Sequence, residues 1–251
     1  MNPHIDALTR RIASGERLKF KFFWGHTGSG VGPWILSQWF PAPFTFDGVT
    51  YATAEHWMMA QKALLFGASD SAGAIVAASS PGAAKALGRR VSDFDDETWE
   101  EARYAIVVTG NVLKFRQNPE LAKWLDETGD TVLVEASPQD AIWGIGAAAS
   151  HPSAQQPASW KGQNLLGFAL GEARDRLRRF PRPRMPEGAL PPPWVHHPGE
   201  HPLSGSWRMG AGEAHMTAFH ESWAKLTTDQ QLELELVYPA TGAWSGWYSP
   251  Q

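Results

Sequence analysis

The order of local signals predicts a mixed α+β fold, and three observations carry that prediction. FTFDGVTY at 44–51 sets short apolar runs either side of Asp47-Gly48, the strongest short-range hairpin signal. Residues 54–66 contain neither glycine nor proline, and 96–116 repeat Trp99, Arg103, Ile106, Val107, Gly110, Leu113 and Lys114 at helical spacing. KFKFFW at 19–24 and TVLVEA at 131–136 are short runs that read as strands entering a core.

In chain order, residues 1–18 read as a short amphipathic helix or arm. Residues 25–33, GHTGSGVGP, are a glycine-rich loop without the GK[ST] ending of a P-loop. LSQWFPAPF at 36–44 is an extended aromatic lead into the hairpin, and Thr53 offers an N-cap oxygen to the helix over 54–66. Residues 67–73 read as a connection and 74–78 as a helical turn. Ser80-Pro81 then opens a helix that Gly88 closes from the C′ position. Asp95 caps the helix over 96–116, and Asn118-Pro119 opens another that Gly129 ends. The strand at 131–136 runs into SPQDAIWGIG, 151–159 is loop, and WKGQNLLG at 160–167 leads a helix through Arg179.

Residues 181–202 hold eight of the nineteen prolines and mark a linker. Beyond it, Trp207, Trp223, Trp244 and Trp247 would be costly to leave in water, at about 25 cal/mol per Å² of apolar surface. The expectation is an arm at 1–18, a catalytic domain at 19–180, the linker, and an extension at 203–251. That extension contains one helix within 213–236, packs on the core and roofs the substrate cleft.

Composition bounds the function. At 251 residues with 43% apolar and 19% charged residues, the chain can bury a sizeable core. There is no cysteine, so disulfides, thiolate nucleophiles and Cys-type zinc sites are excluded, and the cytoplasm is the expected compartment. No run approaches membrane-spanning length, so no membrane partner is expected. A net charge of −4 offers no broad field for nucleic acid. The six arginines in 174–184 are either cations near a helix C-terminus or a phosphate-contacting patch. His196, His197, His201, His215 and His220 match no compact ligand set, and neither metal nor cofactor is expected.

The helix over 54–66 carries the first chemical candidates. Glu55 falls in its first turn, where the helix dipole favours a carboxylate, and Lys62 lies seven positions on, nearly on the same face. With Met58 and Met59 between them, the pair is either a dipole carboxylate plus a snorkelling lysine or a partly buried acid/base pair. The second cluster is the loop after the strand at 131–136. There Glu135 and Asp140 supply carboxylates, Trp143 a stacking face, and Gly144 and Gly146 open backbone. Asn164 stands near the positive end of the following helix, whose N–H groups would suit a phosphate. Arg103 and Lys114 are either anion ligands or, as is commoner for such residues, rim cations.

FFWG (22–25), LSQWFPAPFTFDGVTYATAEHWMMAQKALLFG (36–67), AKALGRRVSDFD (84–95), TGNVLKFRQN (109–118), TGDTVLVEASPQDAIWGIG (128–146) and WKGQNLLGFAL (160–170) together resemble the YbiA-like or NADAR family, named for NAD and ADP-ribose. The resemblance covers residues 22–179. It implies a mainly helical α+β domain around a small β-sheet, and N-glycosidic hydrolysis of ribosyl substrates. Those substrates are ADP-ribosyl-guanine in nucleic acid, a transient nucleic-acid contact, or the phosphoribosylamino-pyrimidine intermediates of riboflavin synthesis. Carried over residue by residue, it implies Glu55, Lys62 and Asp140 as catalytic, with Trp143, Gly144 and Asn164 binding substrate. Trp24 would stack on the base beside Gly25, and Arg103 is kept as a substrate contact. Gln38 stands where the family often has Asn, and Trp57 where it often has Tyr. The rival readings are a non-catalytic ADP-ribose or nucleotide-binding module and a partner-docking adaptor.

Overall fold

Strands β1 (Phe20–Phe23) and β4 (Val132–Glu135) pair in parallel, with Phe23 opposite Glu135. Strands β2 (Phe44–Phe46) and β3 (Val49–Tyr51) form the hairpin, whose Asp47 and Gly48 both take positive φ, as a tight two-residue turn requires. The computed structural model describes residues 2–248. Around these two small sheets pack α1 (Pro3–Ala13), α2 (Ala54–Leu65), α3 (Ser69–Val76), α4 (Pro81–Gly88), α5 (Asp96–Gln117), α6 (Pro119–Glu127) and α7 (Leu165–Arg179). The fold is α+β and mainly helical. The capping signals act as their chemistry dictates: Thr53 accepts the His56 N–H, Ser80 that of Ala83 and Asp95 that of Thr98.

Helix α5 is the spine, with α2 on one side and α7 on another. Trp57 explains how closely α2 approaches. Its indole N–H donates to the Ile106 carbonyl at 2.9 Å, while its ring lies over Gly110. A Cβ at Gly110 would fall 2.4 Å from Trp57 Cδ1. Trp57 is rigid and fully buried, so Gly110→Ala is expected to cost about 1–3 kcal/mol by overpacking, read as a lower denaturation midpoint at unchanged slope. Helix α1 is no loose arm: Asn2 caps it and also donates to the Gln163 carbonyl, His4 stacks on Phe168 of α7, and Leu8 is buried.

Several local expectations need correction. Residues 69–73 are helical in α3, since Gly73 is tolerated within a short helix packed on α2. Gly88 is the last residue of α4 rather than its C′ residue. It is glycine because Met59 of α2 occupies the space a Cβ would need. The stretch 213–236 is two helices, α9 (Gly210–Lys225) and α10 (Thr228–Val237), after the short α8 (Pro193–His196). A reciprocal capping box between Thr227 and Gln230 starts α10, and that Thr-x-x-Gln signal is legible in the sequence.

The extension folds back on the core around a cluster of Trp194, Trp207, Trp244, Trp247 and Tyr248. Its anchors are the Gly242 N–H on Gln61 of α2 at 2.8 Å, Gly246 beside Ala102 of α5, and the pairs Arg176–Glu235 and Arg179–Asp229 from α7. These contacts lie on the Gln61 and Leu64 side of α2, whereas α4 covers Met59 on the other. The expected roof is therefore not where the extension docks; it buttresses α2, α5 and α7.

Candidate active site

Three anchors build the floor of the site. The 3₁₀ turn Pro33–Leu36 and the residues after it are pinned by α5: Lys114 Nζ donates to the carbonyls of Ile35 (2.7 Å) and Ser37 (3.0 Å), and Gln38 donates to Asn111. Gln38 then accepts the Glu55 backbone N–H at 2.9 Å, which ties this segment to the first turn of α2 and sets Trp39 beside the Glu55 carboxyl. Lys114 is fully buried, and burial pulls its pKa down to about 7. It is thus a structural strut rather than the anion ligand the sequence allowed.

The second anchor is α4. The close pass of Gly88 over Met59 brings half-buried Lys85 and exposed Arg89, one turn apart, toward Glu55. The third is the end of β4. Asn164, in the left-handed conformation, accepts the Glu135 N–H at 2.9 Å through Oδ1 and donates through Nδ2 to the Leu133 carbonyl at 3.0 Å. The Ile145 N–H donates to the Glu135 carbonyl at 2.9 Å, and Asp140 Oδ1 accepts the N–H groups of Ile142 and Trp143 at 2.9 and 2.7 Å.

Together these elements gather Glu55, Glu135, Asp140 and Lys85, with Trp39 against Glu55 and His26 facing the Trp39 ring at 5.5 Å. Glu55 is 2% exposed. Burial pushes its pKa up to about 7, aided by Asp140 and opposed by Lys85, Trp39 and Arg89. Burial likewise pushes Glu135 up to about 8, with Asp140 and Glu55 adding to it and Lys85 opposing. Glu55 Oε1 and Glu135 Oε2 are buried without a hydrogen-bond partner among the described residues. Native proteins rarely leave such atoms unpaired away from a functional site.

The remaining candidates fall into two groups. Trp24, 65% exposed, and Gly25, at φ +80° with open space where a Cβ would stand, follow directly on β1 beside the end of β4. Gly144 and Asn164 lie in the floor, and their contacts are internal. A Cβ on Gly144 would meet the carbonyls of Glu135 and Asp140, and both ends of the Asn164 amide are spent on β4. Trp143 is half-buried and packs on the main core, leaving less ring for stacking than the sequence suggested.

Lys62 and Arg103 stand apart from the carboxyl group. Lys62 Nζ lies 3.9 Å from the Phe94 ring centroid and 5.5 Å from that of Trp99, with Asp96 as its nearby charge, and burial lowers its pKa. Two helical turns separate it from Glu55, a distance of about 10 Å along the axis. Arg103 pairs with Glu100 at 3.2 Å and is otherwise buried in α5. Lys85 is the cation the sequence reading missed. Its only sequence signal is the i,i+4 spacing to Arg89 on a short helix, and nothing in that spacing tells which helix it faces.

An α+β frame that sets a buried and a half-buried glutamate beside one lysine, with orphaned carboxyl oxygens, is the arrangement of an acid–base enzyme. Residues 22–178 match the NADAR domain, and the chain belongs to the NADAR family. It is 44% identical over 165 residues to an N-glycosidase of Acanthamoeba polyphaga mimivirus, a match covering 64% of this chain and 97% of that one. Against the N-glycosidase YbiA of Escherichia coli (strain K12) it is 33% identical over 135 residues, covering 54% and 76%. The NMR structure of E. coli YbiA superposes with a TM-score of 0.54 at 27% identity, covering 68% of this chain and 92% of that one.

Proposed function

We propose that this hydrolase of N-glycosyl bonds cleaves a ribosyl C–N bond in which the sugar is joined through nitrogen to a flat heterocycle. Both ADP-ribosyl-guanine and a phosphoribosylamino-pyrimidine present that bond. The observation that carries the reading is the pair of unpartnered, buried carboxyl oxygens of Glu55 and Glu135 around Lys85. The N-glycosidase names of the relatives support it.

Cleavage passes through an oxocarbenium-like centre, which a carboxylate stabilises while an acid protonates the leaving nitrogen. Glu55 is the principal acid/base. Asp140, with one oxygen held by two N–H groups, is a fixed carboxylate that orients water or ribose. Trp24 offers its free ring to the base, and Lys85 holds the negative charge of the site and of a substrate phosphate. A binding module would need the exposed Trp24 but not the two buried, unpartnered glutamate oxygens, whose burial is costly without a task.

The test is incubation with ADP-ribosylated guanosine, a phosphoribosylamino-pyrimidine and NAD separately, with released ribosyl product followed by mass spectrometry. Binding without product from any of the three would leave the module reading instead. The placement of the lysines gives a second expectation. Lys85→Met should lower kcat/KM at least about tenfold, because it removes the cation within the carboxyl group. Lys62→Met should leave it near wild type. Borohydride trapping of a substrate adduct on Lys62 would reverse that order and restore Lys62 to the chemistry.

A further inference from the structure

Glu135 has no task in the mechanism above, yet its backbone is pinned on both sides. We propose that Glu135 is the general acid, giving its proton to the leaving nitrogen, while Glu55 acts in its ionised form and takes the proton of the attacking water. The assignment rests on the ribosyl-hydrolase reading and deepens it.

Three carboxyls, Glu55 from α2, Glu135 from β4 and Asp140 from the following loop, share the site with Lys85 and, at its rim, Arg89, both from α4. His26, across the Trp39 ring, is the other titratable neighbour. Like charges gathered in a poorly solvated site do not all ionise, so one carboxyl keeps its proton near neutral pH.

The surroundings of the three carboxyls differ. Asp140 Oδ1 is already committed to two backbone N–H donors of its own loop. Glu55 has two cations and the Trp39 indole on its side. The Glu135 carboxyl has Lys85 alone against two carboxylates, and its Oε2, like Glu55 Oε1, is buried with no donor among the described residues. When a single proton is left among the three carboxyls, it is therefore on Glu135.

The Glu135 backbone is held by Asn164 on one side and Ile145 on the other, with Phe23 across the sheet and Gly144 tucked under its carbonyl. That is how a proton donor is kept at fixed reach.

The step balances. As the C1′–N bond breaks, its electron pair goes to nitrogen, which receives the Glu135 proton. Water adds its oxygen to C1′ and gives one proton to Glu55. The products are the free ribosyl sugar and the amine, and exchange with solvent returns both glutamates to their starting states.

A leaving group that departs without protonation separates this role from a structural one. On the N-linked substrate that the wild type hydrolyses, Glu135→Gln is expected to lose at least about a hundredfold in kcat. On a nitrophenyl riboside bearing the same phosphate it should lose far less. Equal loss on both substrates, or loss on neither, overturns the assignment. The wild-type pH profile needs no variant: turnover of the N-linked substrate should fall above about pH 8 as Glu135 ionises, and turnover of the nitrophenyl riboside should not. A fall common to both, or absent from both, overturns the proposal. A wild type that releases ribose from the nitrophenyl compound but from no N-linked substrate overturns the ribosyl-nitrogen reading along with it. Wild-type turnover with an indifferent Glu135 overturns the assignment alone.

Discussion

Glu55→Gln is expected to abolish most turnover, at least about a hundredfold in kcat, while leaving the protein folded and able to bind substrate. Gln has the same shape, and the Glu55 backbone N–H that holds Gln38 is untouched. Stability should change in the opposite sense to activity. The Glu55 carboxyl keeps its proton to about pH 7 in the folded chain, whereas its ordinary value is 4.5. Between those values the native state binds more protons than the unfolded one, so wild-type stability falls as pH rises through that window. The full loss is on the order of 3 kcal/mol for this one group. Glutamine does not ionise and escapes it. The variant should therefore match the wild type in melting temperature near pH 4.5 and exceed it near pH 8. A variant that melts lower at every pH would mean that the carboxylate is structural, and wild-type turnover in it would remove Glu55 from the mechanism.

The contrast between Glu55 and Lys62 shows which part of the site was legible in the sequence. Elements declared by local chemistry could be read: the Asp47-Gly48 turn, the Thr53, Ser80 and Asp95 caps, and the Asn118-Pro119 start of α6. Helical spacing likewise puts Glu55 on a mostly buried helix. It also makes Lys62 look like its partner, since seven residues return nearly to the same face. What spacing omits is the axial distance and the identity of the neighbour. The neighbour at the Glu55 end is α4 with Lys85, and at the Lys62 end it is the aromatic pair Phe94 and Trp99.

The same limit explains Asn164 and Gly144. As letters in GQN and WGIG they resemble ligand contacts, but the end of β4 claims both, about thirty residues before Asn164 and just ahead of the Gly144 loop. Lys114 is the extreme case. A lysine in the middle of an apolar stripe reads as an anion ligand or a rim cation. Only the fold shows two carbonyls, of Ile35 and Ser37, converging on it. Pairings across long stretches of chain are tertiary facts, and the cation of the site is one of them.

Truncation after Arg184 is the second large effect expected. The segment removed carries the cluster of Trp194, Trp207, Trp244 and Trp247, the Gly242 bond to Gln61, and Glu235, the partner of Arg176 at 3.1 Å. Its loss uncovers Leu64 of α2 and Ala102 of α5, which gain water contact at about 25 cal/mol per Å². The Arg176 side chain keeps Glu172, at 2.6 Å, so no buried charge is stranded and collapse is not expected. Each kcal/mol lost moves the midpoint by about 2–4 °C in a protein of this size, and a fall of about 5–10 °C corresponds to the lost burial. The mimivirus relative aligns over 97% of its own length with only 64% of this chain, so a NADAR domain need not carry such an extension. Because the docking contacts lie away from Glu55, Glu135, Asp140 and Lys85, turnover and substrate preference below the new midpoint should be those of the full chain. Gain of rate on larger substrates would instead mean that the extension does narrow the cleft. An unchanged midpoint would mean that its aromatic cluster serves a partner rather than the core.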